Sequence, residues 1–346
     1  MTIGSTAPTL LDFSKREDMA GKIMEIIEVI EPTNEILQDI PWVEGNLPTG
    51  HKTTIRSGYP TPTWRLLNYG VQPTKSQTTQ VVDTCGMLEA RAVVDKKLAD
   101  LNGNTAAWRL GENKAHLIGM GNTLASAIFY GNQAIDPEKI TGFSPRFTAP
   151  VATATAAGYN MIDGGAVDGQ TDCLSIWLVG WGEQTVHGIY PKGSQSVGWT
   201  HQDFNDVTLY DTNTPPGEYQ GHKSVYSWDV GLSVRDWRYV VRICNIDSST
   251  LTRDAATGPD LLSLMVQALE RVADLNTARF AFYVPRKIRS YLRSQEIAKV
   301  KAGGGLTFEN INGRHVLMFE GIPVRRCDAL VTETAILDAA GTFADV

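Results

Sequence analysis

The sequence predicts an α+β protein in which extended arms accompany a body of mixed helices and strands. Three observations carry this prediction: a polar, proline-broken stretch at 46–80, a long helix candidate at 105–130, and strand candidates from 175 onwards that alternate with helix candidates near the end of the chain. The 346 residues suggest about two domains. With 42% apolar and 20% charged residues the chain can form hydrophobic cores, and its 32 glycines and 16 prolines require many turns.

The N-terminal segment is predicted to form an arm. Residues 1–13 lack helical periodicity, whereas a helix is predicted at 15–31, capped by Ser14 with Glu17 completing a capping box and Pro32 ending it. The apolar face of this helix contains Met19, Ile23, Ile26, Ile27 and Ile30. That face could pack equally well on the chain's own core or on a neighbouring subunit.

Residues 46–80 predict a long hairpin arm. Two strand-like runs, 51–57 and 78–83, flank a Thr-rich segment with four prolines. A two-stranded hairpin is marginal in isolation, and a loop of this length without a core of its own indicates function or disorder. The aromatic residues Tyr59, Trp64 and Tyr69 favour function, so we expect the arm to lie on another copy of the chain.

The longest helix is predicted at 105–130, with Asn104 as its cap and Gly131 after its end. Its length would be about 40 Å. Its predicted apolar face contains Ala107, Trp108, Leu110, Ala115, Leu117, Ile118, Leu124, Ala125, Ile128 and Phe129. Gly111, Gly119 and Gly121 each weaken the helix by about 1 kcal/mol relative to alanine, which close approach of another element could explain. A shorter helix is predicted just before it, at 89–101.

The second half of the chain predicts strands first and then alternating helices and strands. An Ala/Gly/Thr-rich stretch at 148–172 opens this region, and an acidic insertion with Pro and Gly is predicted at 203–219. The strand candidates are 175–181, 185–190, 225–233, 239–245, 278–284, 315–319 and 322–326. The helix candidates are 261–274, capped by Asp260, and 285–300, with a glycine loop at 303–305 after them. The aromatic residues predicted to pack in the core are Trp177, Trp181, Tyr226, Trp228, Trp237 and Tyr239.

The sequence predicts no catalytic, metal or cofactor site. The nearest approach to a phosphate-binding loop, residues 217–224, has the wrong glycine spacing and does not open a helix. His201 and Asp203 could share a metal ion, but no third ligand is near them in sequence. The cysteines Cys85, Cys173, Cys244 and Cys327 are expected to be buried, reduced thiols.

Charge and hydropathy limit the partners that the chain can have. The net charge is −7 and the sequence pI about 5.4, with no basic run, so only weak, non-specific contact with nucleic acid is expected. The N-terminus does not resemble a signal peptide, and no apolar window is long enough for a membrane span. We therefore expect the protein to fold in a cytoplasm.

The order of these parts resembles the HK97-like major capsid proteins of tailed phages, and several stretches are similar to those of short-tailed phages. The stretches are PTNEIL at 32–37, PWVEGN at 41–46, LNYGV at 67–71, CGMLEA at 85–90, LNGN at 101–104, FYGN at 129–132 with Pro137 and Gly142, and GIPV at 321–324. Each stretch is a weak signal alone, but their order and spacing together are specific. The resemblance covers nearly the whole chain.

The resemblance implies a division of the HK97-like fold along the chain. It assigns an N-terminal arm to 1–48, an extended loop to 49–88, a peripheral domain with its spine helix to 89–150, an axial domain to 151–300, completion of the peripheral domain to 301–325, and a C-terminal axial segment to 326–346. Candidate inter-subunit contacts are Ile23, Ile27, Tyr59, Trp64, Arg65, Tyr69 and Lys75.

The resemblance also implies partners and a location. Copies would form hexamers and pentamers of an icosahedral head around double-stranded DNA, assembled in a bacterial cytoplasm without a membrane. A separate scaffolding protein, a portal and a possible decoration protein would take part. One family member crosslinks subunits through a lysine and an asparagine; Lys75 is a conceivable donor, but nothing identifies its partners.

Alternative interpretations belong to other classes. An encapsulin-like shell shares the fold but encloses enzymes, so the enclosed content would discriminate it. A decoration or receptor-binding β-protein is disfavoured by the long helix. An enzyme is disfavoured by the missing catalytic constellation, and turnover by purified particles would revive it.

Overall fold

The structure of the protein is a computed structural model. It describes residues 33–101, 105–153, 156–167, 169–194, 198, 200–211, 216–253, 258–299, 306–311 and 314–336. The helix predicted at 15–31, the cap Asn104 and the glycine loop at 303–305 lie outside the described residues.

The described residues form five α-helices and thirteen β-strands. The helices are α1 Ile36–Asp39, α2 Lys96–Ala99, α3 Thr105–Tyr130, α4 Leu261–Arg271 and α5 Arg286–Lys299. The strands are β1 Trp42–Glu44, β2 Gly50–Gly58, β3 Gln77–Asp95, β4 Met161–Asp163, β5 Cys173–Trp181, β6 Val186–Tyr190, β7 Thr200–Tyr210, β8 Glu218–Val234, β9 Val240–Asp247, β10 Arg279–Val284, β11 Leu306–Ile311, β12 Arg314–Phe319 and β13 Ile322–Arg326.

The described residues divide into two units. The larger unit contains the described parts of 33–86, 125–194 and 230–346, and the smaller unit those of 87–124 and 195–229. The long elements β3, β8 and α3 contribute residues to both.

Strand β5 lies at the centre of the larger unit. It pairs antiparallel with β9 and β10, and β10 pairs parallel with β13. All nine residues of β5 are buried, as expected for a strand that is covered on both faces. Strands β12 and β13 form the predicted closing hairpin, in which Phe319 pairs with Ile322.

Two different apolar layers cover the faces of β5. Ile176 and Leu178 belong to a buried cluster with side chains of α4 and α5, among them Met265 and Leu292. Trp177 lies in an aromatic cluster with Phe129, Phe143 and Phe147, at ring-centroid distances of 6.2, 5.6 and 5.9 Å. Alternation along the strand therefore sends neighbouring residues into separate layers.

A buried polar network fixes the segment around α1 to the sheet. The Tyr283 hydroxyl donates to Asp39 Oδ2 over 2.9 Å and accepts a hydrogen bond from Trp181 Nε1 over 2.7 Å. Arg325 pairs with the Asp39 carboxylate at 3.1 Å. The Tyr283 hydroxyl, the Trp181 indole nitrogen and the Asp39 carboxylate all have partners, so they hold α1 in place against the sheet.

The smaller unit packs the first part of α3 near the ends of β3 and β8. Trp108 is buried in a cluster with Val94, Leu98 and Ala99. Strands β7 and β8 form an antiparallel hairpin, from Thr200 opposite Ser227 to Tyr210 opposite Glu218. None of the described helices in either unit combines the length and apolar character needed to cross a membrane.

Several sequence predictions are confirmed. Helix α3 has the predicted bounds, and Asp260 caps α4 by accepting a hydrogen bond from the Ser263 amide. The predicted strands at 175–181, 185–190, 239–245 and 278–284 correspond to β5, β6, β9 and β10 within two residues at each end. Cys173, Cys244 and Cys327 are buried free thiols, whereas Cys85 is only partly buried.

Two predictions of local structure are wrong. Residues 89–95 continue β3 and only Lys96–Ala99 are helical, although the segment is rich in helix-forming residues. The acidic insertion predicted at 203–219 does not interrupt the strands, since residues 203–210 belong to β7 and 218–219 begin β8. In both cases pairing with another strand overrides the local preference, since β3 pairs with β2 and β8 and β7 pairs with β8.

Some side chains expected in the core are exposed. Leu110 and Ala115 of α3 face solvent, and Trp228 and Trp237 are only partly buried. A Cβ added at Gly119 would meet nothing within 4 Å, so close packing does not explain that glycine.

Candidate assembly surface

The hairpin of β2 and β3 carries the most exposed apolar surface among the described residues. The two strands pair from Gly50 opposite Thr84 to Gly58 opposite Gln77. All residues between them, 59–76, are exposed. We call residues 59–76 the arm tip.

The arm tip presents large apolar side chains to solvent. Trp64 is fully exposed, with a relative accessibility of 101%. The other exposed apolar side chains of the tip are Tyr59, Leu66, Leu67, Tyr69 and Val71. A concentration of exposed apolar side chains on a protein surface marks an interaction site, whereas single scattered ones need no explanation.

A local turn shapes the tip. The Tyr69 amide donates to the Leu66 carbonyl over 3.2 Å, and Asn68 adopts the left-handed conformation with φ of 68°. Asparagine tolerates this conformation better than most residues. The turn projects Leu66, Leu67 and Tyr69 from one short stretch.

The base of the hairpin is fixed by a buried carboxylate. Asp83 of β3 accepts hydrogen bonds from Ser233 Oγ at 2.9 Å and from Arg146 Nη2 at 2.8 Å, and its side chain is almost fully buried. A buried ion pair with these further hydrogen bonds holds its geometry firmly. The arm therefore has an anchored base and an unsupported tip.

Two histidines lie beside this base. His51 of β2 and His187 of β6 contact each other edge to face, with ring centroids 5.6 Å apart. His187 is buried, and neither of its ring nitrogens has a hydrogen-bond partner of ordinary geometry. The pKa of His187 is lowered to about 4, chiefly by burial and also by the nearby His51 and Arg235, whereas a backbone hydrogen bond with Gly182 and the charge of Asp83 act in the opposite direction.

The predicted contact residues are brought together only in part. Tyr59, Trp64, Arg65, Tyr69 and Lys75 all lie in the arm tip and are exposed. Ile23 and Ile27 lie outside the described residues. Sequence reasoning missed Leu66, Leu67 and Val71, although apolar residues inside a polar, proline-broken loop were a signal that could have identified them.

The described residues show no cluster suited to metal binding. No group of three or more His, Cys, Asp or Glu side chains that could hold a metal ion occurs among them. His201 stacks on Tyr226, with ring centroids 4.6 Å apart, and Asp203 pairs with Arg109. An open surface depression of about 330 Å³ in the smaller unit is lined by Leu88, Glu89, Ala90, Ala115, His116, Gly119, Met120 and Thr123.

The chain combines a mixed helix-and-strand body with a long arm whose tip exposes apolar side chains, as expected for a component of an assembly. Comparison with known proteins identifies the class as HK97-like phage capsid subunits. The sequence profile of the family described as major capsid protein GP7 matches residues 18–337. The chain belongs to this family. It is a capsid protein of the virion.

Solved structures agree with this assignment. The chain is 38% identical to a protein in the structure of bacteriophage Epsilon15, which it matches over 98% of its own length and 99% of the other, with a TM-score of 0.74. A chain of the bacteriophage JBD30 capsid shares the fold at 12% identity, with 87% and 91% coverage and a TM-score of 0.50. No curated protein sequence matches significantly.

Proposed function

We propose that copies of this major capsid protein form hexamers and pentamers that close an icosahedral head around double-stranded phage DNA. The observation that carries this proposal is the exposed arm tip. Burying one large apolar side chain is worth about 1.5–3 kcal/mol, and a tip with six of them gains this only on another surface. Because every copy carries the same arm, contacts from each copy to the next can close rings.

We assign roles to parts of the chain on the same basis. Residues 1–48 act as an N-terminal arm, and 49–88 as the extended loop that lies across a neighbour. Residues 89–150 form the peripheral domain with α3 as its spine, completed by 301–325. Residues 151–300 and 326–346 form the axial domain around the five- and six-fold centres. Support comes from the anchored base of the β2–β3 hairpin and from the length of α3.

The proposed contacts between subunits are concentrated in the arms. They are Ile23 and Ile27 of the N-terminal arm, and Tyr59, Trp64, Arg65, Tyr69 and Lys75 of the arm tip. Leu66 and Leu67 join them because they are as exposed as the aromatic residues.

We propose further partners for the shell. A net charge of −7 fits a shell into which DNA is pumped, with only non-specific contact between the protein and DNA. A separate scaffolding protein would guide assembly in the bacterial cytoplasm, and a portal and possible decoration protein would complete the head.

The test replaces apolar side chains of the arm tip by serine. Full-length protein with Tyr59→Ser, Trp64→Ser and Leu67→Ser should remain folded but should not form shells in electron micrographs. The matched control is Ile135→Ser with Val167→Ser, two comparably exposed apolar residues outside the arm, which should assemble normally. Normal shells from the tip variant would overturn the proposed role of the arm.

A further inference from the structure

The arm is basic within an acidic protein. Between Glu44 and Asp83 the sequence contains no carboxylate, although the whole chain has a net charge of −7. The basic residues in this interval are Lys52, Arg56, Arg65 and Lys75. All four are exposed. The surface that receives the arm should therefore be acidic as well as partly apolar.

One edge of β7 pairs with β8, and the opposite edge pairs with no strand among the described residues. Strand β7 pairs only with β8 there, and nine of its eleven residues, all but Val207 and Leu209, are exposed. Two exposed aromatic side chains, Phe204 and Tyr210, lie on it. An edge of this length invites an extended partner, because its backbone groups point outward.

The hairpin that contains this edge is acidic. We call β7 together with residues 218–229 of β8 the acidic hairpin. It holds the carboxylates Asp203, Asp206, Glu218 and Asp229 but a single lysine, Lys223. Its charge is thus opposite in sign to that of the arm.

Part of this charge is already used inside the smaller unit. Asp203 pairs with Arg109, and Asp206 pairs with Lys96 at 2.8 Å. The Asp206 and Lys96 side chains are both about half exposed, so their pair is weak and the aspartate can exchange partners. Near the end of the hairpin Asp95 and Asp211 raise the pKa of Tyr219 in addition to its burial, which indicates a negative potential there.

We propose that the arm of one copy docks in a neighbouring copy along the edge of β7 opposite β8. Its basic side chains face the carboxylates of the acidic hairpin, and its aromatic side chains cover Phe204 and Tyr210. This inference rests on the proposed shell function and adds the receiving surface and the chemistry that selects it. Complementary charge would determine the register in which the arm binds more than it would raise the affinity of binding.

The test is a charge swap in the full-length chain. The arm-reversed variant carries Arg65→Glu and Lys75→Glu, and the edge-reversed variant carries Asp206→Lys and Glu218→Lys. Like charges then face each other, and each variant should give at least about tenfold fewer particles than the unmodified chain, since a loss of about 1.4 kcal/mol at one contact is a tenfold effect. The chain with all four substitutions should recover most of the yield.

The controls separate this inference from the proposed function. Glu270→Lys reverses an exposed carboxylate on α4 and should assemble normally. Asp206→Asn with Glu218→Gln removes charge without adding lysines and should give an intermediate yield. Circular dichroism checks that each variant is folded. Two outcomes would show that the docking site is wrong although the shell function stands. In the first, both the unmodified chain and the edge-reversed variant form shells. In the second, the unmodified chain forms shells but the variant with all four substitutions is folded and does not assemble. Failure of the unmodified chain to form shells would count against both.

Discussion

The centre of the larger unit and the arm tip place the same residue type in opposite environments. Trp177 of β5 is completely buried, whereas Trp64 of the tip is completely exposed. Strand β5 has partners on both edges and both faces, while the tip extends beyond the last pair of its hairpin, Gly58 opposite Gln77. The comparison teaches that this chain contains two kinds of apolar surface, one used for folding and one left for assembly.

The largest effect on the unassembled subunit is expected from Trp177→Ala. Its ring packs against three phenylalanines and lies 5.0 Å from the Arg242 guanidinium carbon. Removing it leaves a cavity, so the free energy of unfolding should fall by about 3–5 kcal/mol. Urea unfolding of the subunit measures this. A loss under about 1 kcal/mol would show that the core collapses into the gap.

Acid should weaken the larger unit through His187. In the unfolded chain the pKa of this histidine is its ordinary value of 6.5, whereas in the folded chain it is about 4. Between these values the unfolded state binds a proton that the folded state does not. This part of the stability is therefore intact above pH 6.5 and is lost as the pH falls towards 4. The loss should be about 2–3 kcal/mol between pH 7.5 and 4.5.

The contribution of His187 is isolated by comparing variants. Urea unfolding of His187→Leu at both pH values should show a smaller loss than the unmodified chain, because the titrating group beside His51 and Asp83 is gone. An unchanged acid dependence in His187→Leu would contradict the assignment.

A smaller effect is expected from Tyr283→Phe. The change removes a buried hydroxyl that joins Trp181 to Asp39, and it leaves the Trp181 indole nitrogen without its partner. The free energy of unfolding should fall by about 1–3 kcal/mol. Phe282→Tyr is not a suitable control, because it would place a new hydroxyl in the buried apolar cluster that contains Phe282. Tyr69→Phe in the tip is the matched control and should not change stability.

The smallest effect on folding, with a large effect on assembly, is expected from Trp64→Ala. The side chain contacts little within its own subunit, so the free energy of unfolding should change by less than about 0.5 kcal/mol. Shell yield should fall clearly, because the tip loses its largest apolar side chain. Equal losses of stability and yield would mean that Trp64 packs within its own subunit.

Local patterns in the sequence predicted the regular elements well. The three- and four-residue spacing of apolar residues placed α3 at its observed bounds, and the two strand-like runs around a Pro- and Thr-rich stretch predicted the hairpin of β2 and β3. Both signals depend on neighbours in sequence. Which side of α3 is buried was less certain, since Leu110 fits the spacing but is exposed.

The candidate surface was predicted in outline. The aromatic residues of the arm tip were identified because they stand out in a polar loop, whereas Leu66 and Leu67 were not. The Asp83–Arg146 pair at the base of the arm could not be predicted, because its residues are far apart in sequence and carry no motif. The contact of His51 with His187 could not be predicted for the same reason.

The sequence by itself determined the α+β class, the arm with its basic charge and the long helix, since these follow from composition and short-range periodicity. Only the tertiary structure decided that residues 89–95 extend β3, that 203–210 and 218–219 belong to the β7–β8 hairpin, and that β7 pairs only with β8 among the described residues. The physical reason is that a strand is stabilised by the strands it pairs with, and the local sequence does not show which strands those are. The pairing of a strand is therefore a property of the folded whole and not of the local sequence.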